Sequence, residues 1–141
     1  MKRVFVALTL LVSTAAFAPA GAQSPAASDA VKASPAYGAL VGRRVTVEVA
    51  LAELLESYTP GHPAVARRRA ELQIIEREMA KLGAVRPRRL TEAYGDLLLR
   101  KINTEVELRE LLATLTPSHP DVKRKRVELA AVERGLAALS R

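Results

Sequence analysis

From Ser34 onward, apolar residues recur three and four positions apart in two long runs, and a pair of prolines breaks each run once. In the first run the spaced positions are Leu40, Val47, Leu51, Leu54 and Tyr58, resuming after the break at Val65, Leu72, Ile75, Met79 and Leu82. In the second run they are Leu97, Leu108, Leu111 and Leu115, then Val122, Leu129, Val132, Leu136 and Leu139, with Lys101 and Thr104 interrupting the stripe. This is the heptad-like period of packed helices, and no run alternates with the period of a strand. The pattern predicts an all-α protein.

The two runs are copies. Shifted by 57 positions, Ser34–Ala84 lies over Thr91–Arg141 without a gap, with 24 identities in 51 pairs. "AYG" at Ala36–Gly38 meets "AYG" at Ala93–Gly95, and "TPGHP" at Thr59–Pro63 meets "TPSHP" at Thr116–Pro120. A repeat of this length marks a duplicated supersecondary unit.

Each unit reads as helix, turn, helix. Ser34 before Pro35 suits an N-cap followed by proline at the first helical position, and Thr91 takes the same place in the second copy. Pro60 and Pro117 cannot continue a helix, and they push Thr59 and Thr116 out of the helical region. Pro63 and Pro120 stand where a new helix tolerates proline. His62 and His119 fall at the cap position between, where a neutral imidazole can satisfy an orphan backbone group. Helices of roughly 24 and 20 residues joined by so short a turn must be antiparallel neighbours. The expected architecture is therefore two tandem antiparallel, coiled-coil-like hairpins, residues 34–84 and 91–141, joined by a linker at 85–90. Two such hairpins can share a buried face as a four-helix bundle. The alternative is that each pairs with a hairpin of another chain.

The N-terminal segment is of another kind. Lys2 and Arg3 precede an apolar stretch from Val4 to about Ala18, with Ala20-Gly21-Ala22 as a small-x-small cleavage site and Ala16-Phe17-Ala18 as a second. Residues 1–22 are expected to be a secretory signal peptide, which places the mature chain in the periplasm or outside the cell without an integral membrane span. Residues 23–33, rich in Ala, Ser and Pro, read as a flexible leader. The absence of cysteine removes disulfides, thiolate metal sites and a cysteine nucleophile.

Charge adds one candidate surface. The chain carries +7, and losing Lys2 and Arg3 leaves 7 − 2 = +5. Arg67, Arg68 and Arg69 in the first copy, and Lys123, Arg124, Lys125 and Arg126 in the second, crowd the first turns after each tip, where the helix dipole favours anions. In an antiparallel hairpin the first cluster is expected opposite Glu53 and Glu56, whereas the second keeps Glu110 but has Ala113 in place of the second acid. The alternatives are a solvated, ion-paired helix face and a surface for anionic polysaccharide, phospholipid headgroups or an acidic partner. Nucleic acid is not expected, because the tips lack stacking aromatics and the compartment is wrong.

"ELLESYTPGHPAVARRRAEL" resembles a phrase of the form YTPxHPxV in the periplasmic coiled-coil region of bacterial polysaccharide co-polymerases, which regulate polysaccharide chain length. The matching residues are Tyr58, Thr59, Pro60, His62, Pro63 and Val65, then Thr116, Pro117, His119, Pro120 and Val122. The likeness covers about twenty residues per copy and implies a shared hairpin element in the cell envelope. Flanking membrane helices and a kinase domain like theirs are not expected from the residues of this sequence, so the likeness implies the hairpin element and not chain-length control.

No catalytic constellation is expected. The histidines sit at equivalent turns, with Asp121 the only acid within either turn, so capping is their expected role rather than metal ligation. Glu53 with Glu56, and Glu105 with Glu110, lie at helical spacing among cations and read as a solvated face. Gly38, Gly42 and Gly95 are isolated within helices rather than grouped in a phosphate loop, and no cofactor is implied. The functional expectation is a non-enzymatic scaffold or interaction module, working by self-association or with an envelope protein. The alternative is a binding protein for anionic glycan or lipid.

Overall fold

A computed structural model describes residues 25–141, and residues 1–22, expected from the sequence to be a signal peptide, lie outside the described residues. Five α-helices follow in order: α1 (Pro25–Lys32), α2 (Pro35–Ser57), α3 (Pro63–Lys81), α4 (Glu92–Thr114) and α5 (Pro120–Ser140). Short 3-10 turns at Leu82–Ala84 and Pro87–Arg89 join α3 to α4. The fold is all-α, with no strand among the described residues.

The caps define the helix starts as the sequence implies. The Ser34 hydroxyl accepts from the Tyr37 amide at 3.3 Å and the Thr91 hydroxyl from the Tyr94 amide at 3.3 Å, each from an extended residue. At both tips the chain leaves the helix in extended form at Tyr58 and Leu115, then turns through amide-to-carbonyl bonds of 3.0 Å from His62 to Thr59 and from His119 to Thr116.

Helices α2 and α3 form one antiparallel hairpin, and α4 and α5 the other. The hairpins pack on each other through α4, which touches both α2 and α3, while α5 packs almost wholly on α4. The four helices therefore form an open layered bundle with α4 at its centre. Helices α2 and α4 run side by side in the same direction, since Arg43 reaches Asn103 while Ala36 lies against Gly95. The two "AYG" segments supply this closest approach, because a Cβ on Gly95 would stand 3.1 Å from the Ala36 Cα.

The core runs along α4. Tyr94, Leu98, Ile102 and Val106 are buried with Ala36, Leu40 and Val47 of α2 and with Ile74 and Ile75 of α3. Of the expected seam, Leu40, Val47, Val65, Ile75, Leu82, Val122, Val132 and Leu136 are buried, Leu72 and Leu129 are half-buried, and Tyr58 is exposed. Leu98, Ile102, Val106 and Ile74 were outside that seam because they serve the contact between hairpins rather than within one.

The leader differs from expectation. Residues expected to be flexible contain α1, whose Val31 joins the core, and the Val31 carbonyl accepts from the Ser34 hydroxyl at 2.6 Å. A single apolar anchor fixes a segment whose composition otherwise reads as solvated. The linker is also more ordered than its sequence suggests: Leu90 is buried, and its carbonyl accepts from the Ala36 amide at 3.3 Å, tying the start of α4 to the start of α2.

Candidate functional site

The two hairpin tips are built alike. His62 Nδ1 accepts from the Ala64 amide at 3.2 Å, and His119 Nδ1 from the Asp121 amide at 3.2 Å. Each ring thus satisfies an N–H that the first helical turn leaves without a partner. Pro63 and Pro120 occupy the first helical position beside them. Tyr58 stacks on His62 with ring centres 4.1 Å apart, a contact the second tip lacks because Leu115 replaces the tyrosine.

The basic residues behind the tips have different fates. Arg67 pairs with Glu110 of the other hairpin at 2.8 Å, Arg68 with Glu71 of its own helix at 2.8 Å, and Arg69 donates to the Pro60 carbonyl at 3.1 Å. Glu53 and Glu56, expected to face this cluster, do not pair with it. The partner comes from α4 because α4 lies in the groove beside α3. In the second hairpin Arg124 pairs with Asp121 at 2.7 Å, and Lys125 with Glu107 at 2.6 Å and Glu128 at 2.9 Å. The two carboxylates raise the Lys125 ammonium above its ordinary range, while Lys125, against the opposing effect of burial and with help from Arg100, lowers Glu128. Lys123 and Arg126 are exposed, and among the described residues their side chains form no ion pair or hydrogen bond. These two cations are the free charge of the second tip.

The most heavily buried charges lie elsewhere, inside the bundle. Glu71 is almost inaccessible and holds both Arg43 of α2 and Arg68. The repeat reproduces this clasp in the second hairpin, where Glu128 receives Arg100 at 3.4 Å and Lys125 at 2.9 Å. Glu78 is buried as well, and Lys81 at 2.8 Å and Lys101 at 3.0 Å converge on one of its oxygens. Burial would raise the Glu78 pKa, but the two ammonium groups outweigh it and hold the carboxyl below its usual range. Burial and the nearby Glu78 charge push the Tyr94 phenol upward, with Lys101 offsetting part of the effect. Three pairs bridge the hairpins: Glu78 with Lys101, Arg77 with Glu105, and Arg67 with Glu110.

Lys101 broke the apolar stripe in the sequence for this reason. A lysine at a seam position needs a buried acid, and Glu78 supplies it where the second copy has only Gly135. Comparison of the chain with family models, curated proteins and solved structures gives no match. No described helix is long and apolar enough to cross a membrane.

One further surface escaped the sequence pattern. Val41, Val45 and Val49 stand exposed in a row along α2, opposite its buried seam, with Gly38 and Gly42 on the same face. A helical wheel drawn for both faces of α2 would have found it, because these positions repeat at three and four like the seam itself.

Proposed function

We propose that this chain is a secreted or periplasmic scaffold, a non-enzymatic module that works by presenting helical-hairpin surfaces to a protein partner. The observation that carries this reading is the uncovered apolar row Val41, Val45 and Val49 on a helix whose opposite face is already buried. Exposed valines scattered singly need no explanation, whereas an aligned row flanked by charge has the form of a contact face. The compartment follows from the signal-like pattern of residues 1–22, and the tip likeness to periplasmic co-polymerase arms supports an envelope setting. The test is a photo-crosslinking residue at Val45 in producing cells, with Ser57 as control. Protein adducts at Val45 and none at Ser57 support the reading, and no adduct at either position defeats it.

A second reading, binding of anionic glycan or lipid headgroups, is favoured by the unpaired Lys123 and Arg126. Lys123→Glu with Arg126→Glu should abolish salt-sensitive retention on anionic vesicles, since exposed charges are screened over about 8 Å at physiological ionic strength. An absence of retention at low salt in the wild type ends this reading.

A further inference from the structure

The two hairpins are copies, yet the outer face of their first helices is treated differently. On α4, Leu98, Ile102 and Val106 are buried against the first hairpin. Their counterparts 57 positions earlier are Val41, Val45 and Val49, all exposed. The contrast is sharpest in the middle, where Ile102 is 0% exposed and Val45 is 52% exposed. The glycines agree. A Cβ at Gly95 would meet the Ala36 Cα at 3.1 Å, whereas Gly38, its counterpart, has nothing within 4 Å. Helix α2 thus carries the same docking face as α4 but has no hairpin to dock on.

The chain also contains a second copy of the surface that receives α4. That surface is the outer side of α4 and α5. Val127, 67% exposed, stands there in the place of Ala70, which lines the groove between α3 and α4. Charge fits on both sides. Arg77 and Arg67 of the first hairpin pair with Glu105 and Glu110 of α4. Their counterparts on α5 are Arg134 and Arg124, and the counterparts of the two acids on α2 are Glu48 and Glu53; all four are exposed, Glu48 holding Arg44 at 2.8 Å and Arg124 holding Asp121 at 2.7 Å on the surface.

We infer that α2 of one copy docks into the α4–α5 groove of a second copy, head to tail, extending between chains the contact that joins the two hairpins within one. This inference rests on the scaffold reading and names its partner. Because α2 and α4 run parallel in one register, one further step of the same kind places Val45 over α5 and sets Glu48 against Arg134 and Glu53 against Arg124. Stacked helical repeats bury a continuous core in this way. The contact is weaker than its intrachain model. Ala131 replaces Ile74, and Gly135 replaces Glu78, so Arg44, which stands in the place of Lys101, meets no buried acid there. A contact between two different faces does not close on itself at two copies, so it builds open chains of subunits.

The experiment is sedimentation of the purified full chain over a wide concentration range. The wild type should grow beyond a dimer as concentration rises. Gly38→Leu fills the outer face without entering the monomer's core, so it should leave the helical melt intact and weaken association by about tenfold or more,. Arg134→Glu should weaken association comparably, and adding Glu48→Arg to the same chain should restore it by re-forming the pair with reversed sign. A mass that stops at a dimer and ignores Arg134→Glu overturns the inference, since α2 faces would then be paired about a two-fold axis. A monomer at every concentration also overturns it. In that case an adduct at Val45 to a different protein leaves the scaffold reading standing, and the lack of any adduct ends both.

Discussion

Gly38 and Gly95 occupy the same position in the two repeats, four residues into α2 and α4, and alanine should act on them with opposite sign. The helix-propensity gain is shared, about 0.5–1 kcal/mol on replacing glycine within a helix. At Gly38 nothing opposes it, because the new methyl group points into open space. At Gly95 the methyl group would lie 3.1 Å from the Ala36 Cα and 3.3 Å from the Ala39 Cβ. Both atoms belong to α2, so relief requires the helix to move. It is held there by the wholly buried Ala36 side chain and by the bond from its amide to Leu90. Overpacking of this kind costs about 1–3 kcal/mol. The net expectation is a gain of about 0.5–1 kcal/mol for Gly38→Ala and a loss of up to about 2.5 kcal/mol for Gly95→Ala. Urea unfolding followed by helical circular dichroism, at a dilution where the chain is monomeric, measures both. The midpoints should move in opposite directions with the slope unchanged, each 1 kcal/mol corresponding to roughly 4 °C in a thermal melt. Equal stabilisation by both substitutions would mean that α2 and α4 do not approach at their first turns, and the account of how the hairpins dock would fail.

Ile102→Ala should cost about 2–4 kcal/mol in the same assay, while Val45→Ala at the equivalent position changes stability by under about 0.5 kcal/mol. Lys101→Met should destabilise the chain by about 1–3 kcal/mol, because Glu78 stays buried with one fewer cation. The Glu78 pKa is lowered on folding, so its contribution is complete above the ordinary value of 4.5 and is lost as pH falls through the folded-state value. Glu78→Gln should accordingly flatten the acid limb of a stability-against-pH curve, and an unchanged limb would remove Glu78 from that role. His62→Ala and His119→Ala should each cost about 1 kcal/mol as lost caps, His62 the more because Tyr58 loses its stacking partner.

What the sequence made legible follows from the range of each interaction. Caps, turns and the seam within a hairpin are set by residues close in the chain. Ser34, Thr91, the paired prolines and the histidines marked them, and the helices begin and end there. Contacts between the hairpins depend on which faces meet, and one stripe of apolar positions does not state this. Leu98 and Ile102 lie outside the hairpin seam, yet they are more deeply buried than Leu108 or Leu111 within it. Arg67 likewise meets Glu110 rather than Glu53 because α4, not α2, faces that side of α3. The interruptions at Lys101 and Thr104 were the visible trace of this second contact. The basic tips were found by composition, but only the structure distinguishes the engaged Lys125 from the unengaged Lys123.

The outlying position of α5 fixes an order of events when the chain opens. Helix α4 is gripped on both sides, while α5 packs almost wholly on α4 alone. Detaching α5 sacrifices Val132, Leu136 and the Arg100–Glu128 and Lys125–Glu107 links, and it leaves α2, α3 and α4 with their shared core in place. The first rung of the unfolding ladder is thus a three-helix form with the far side of α4 bare. Amide hydrogens of α5 should exchange by this partial opening, at lower free energy than those near Ile102, which wait for the whole chain to open.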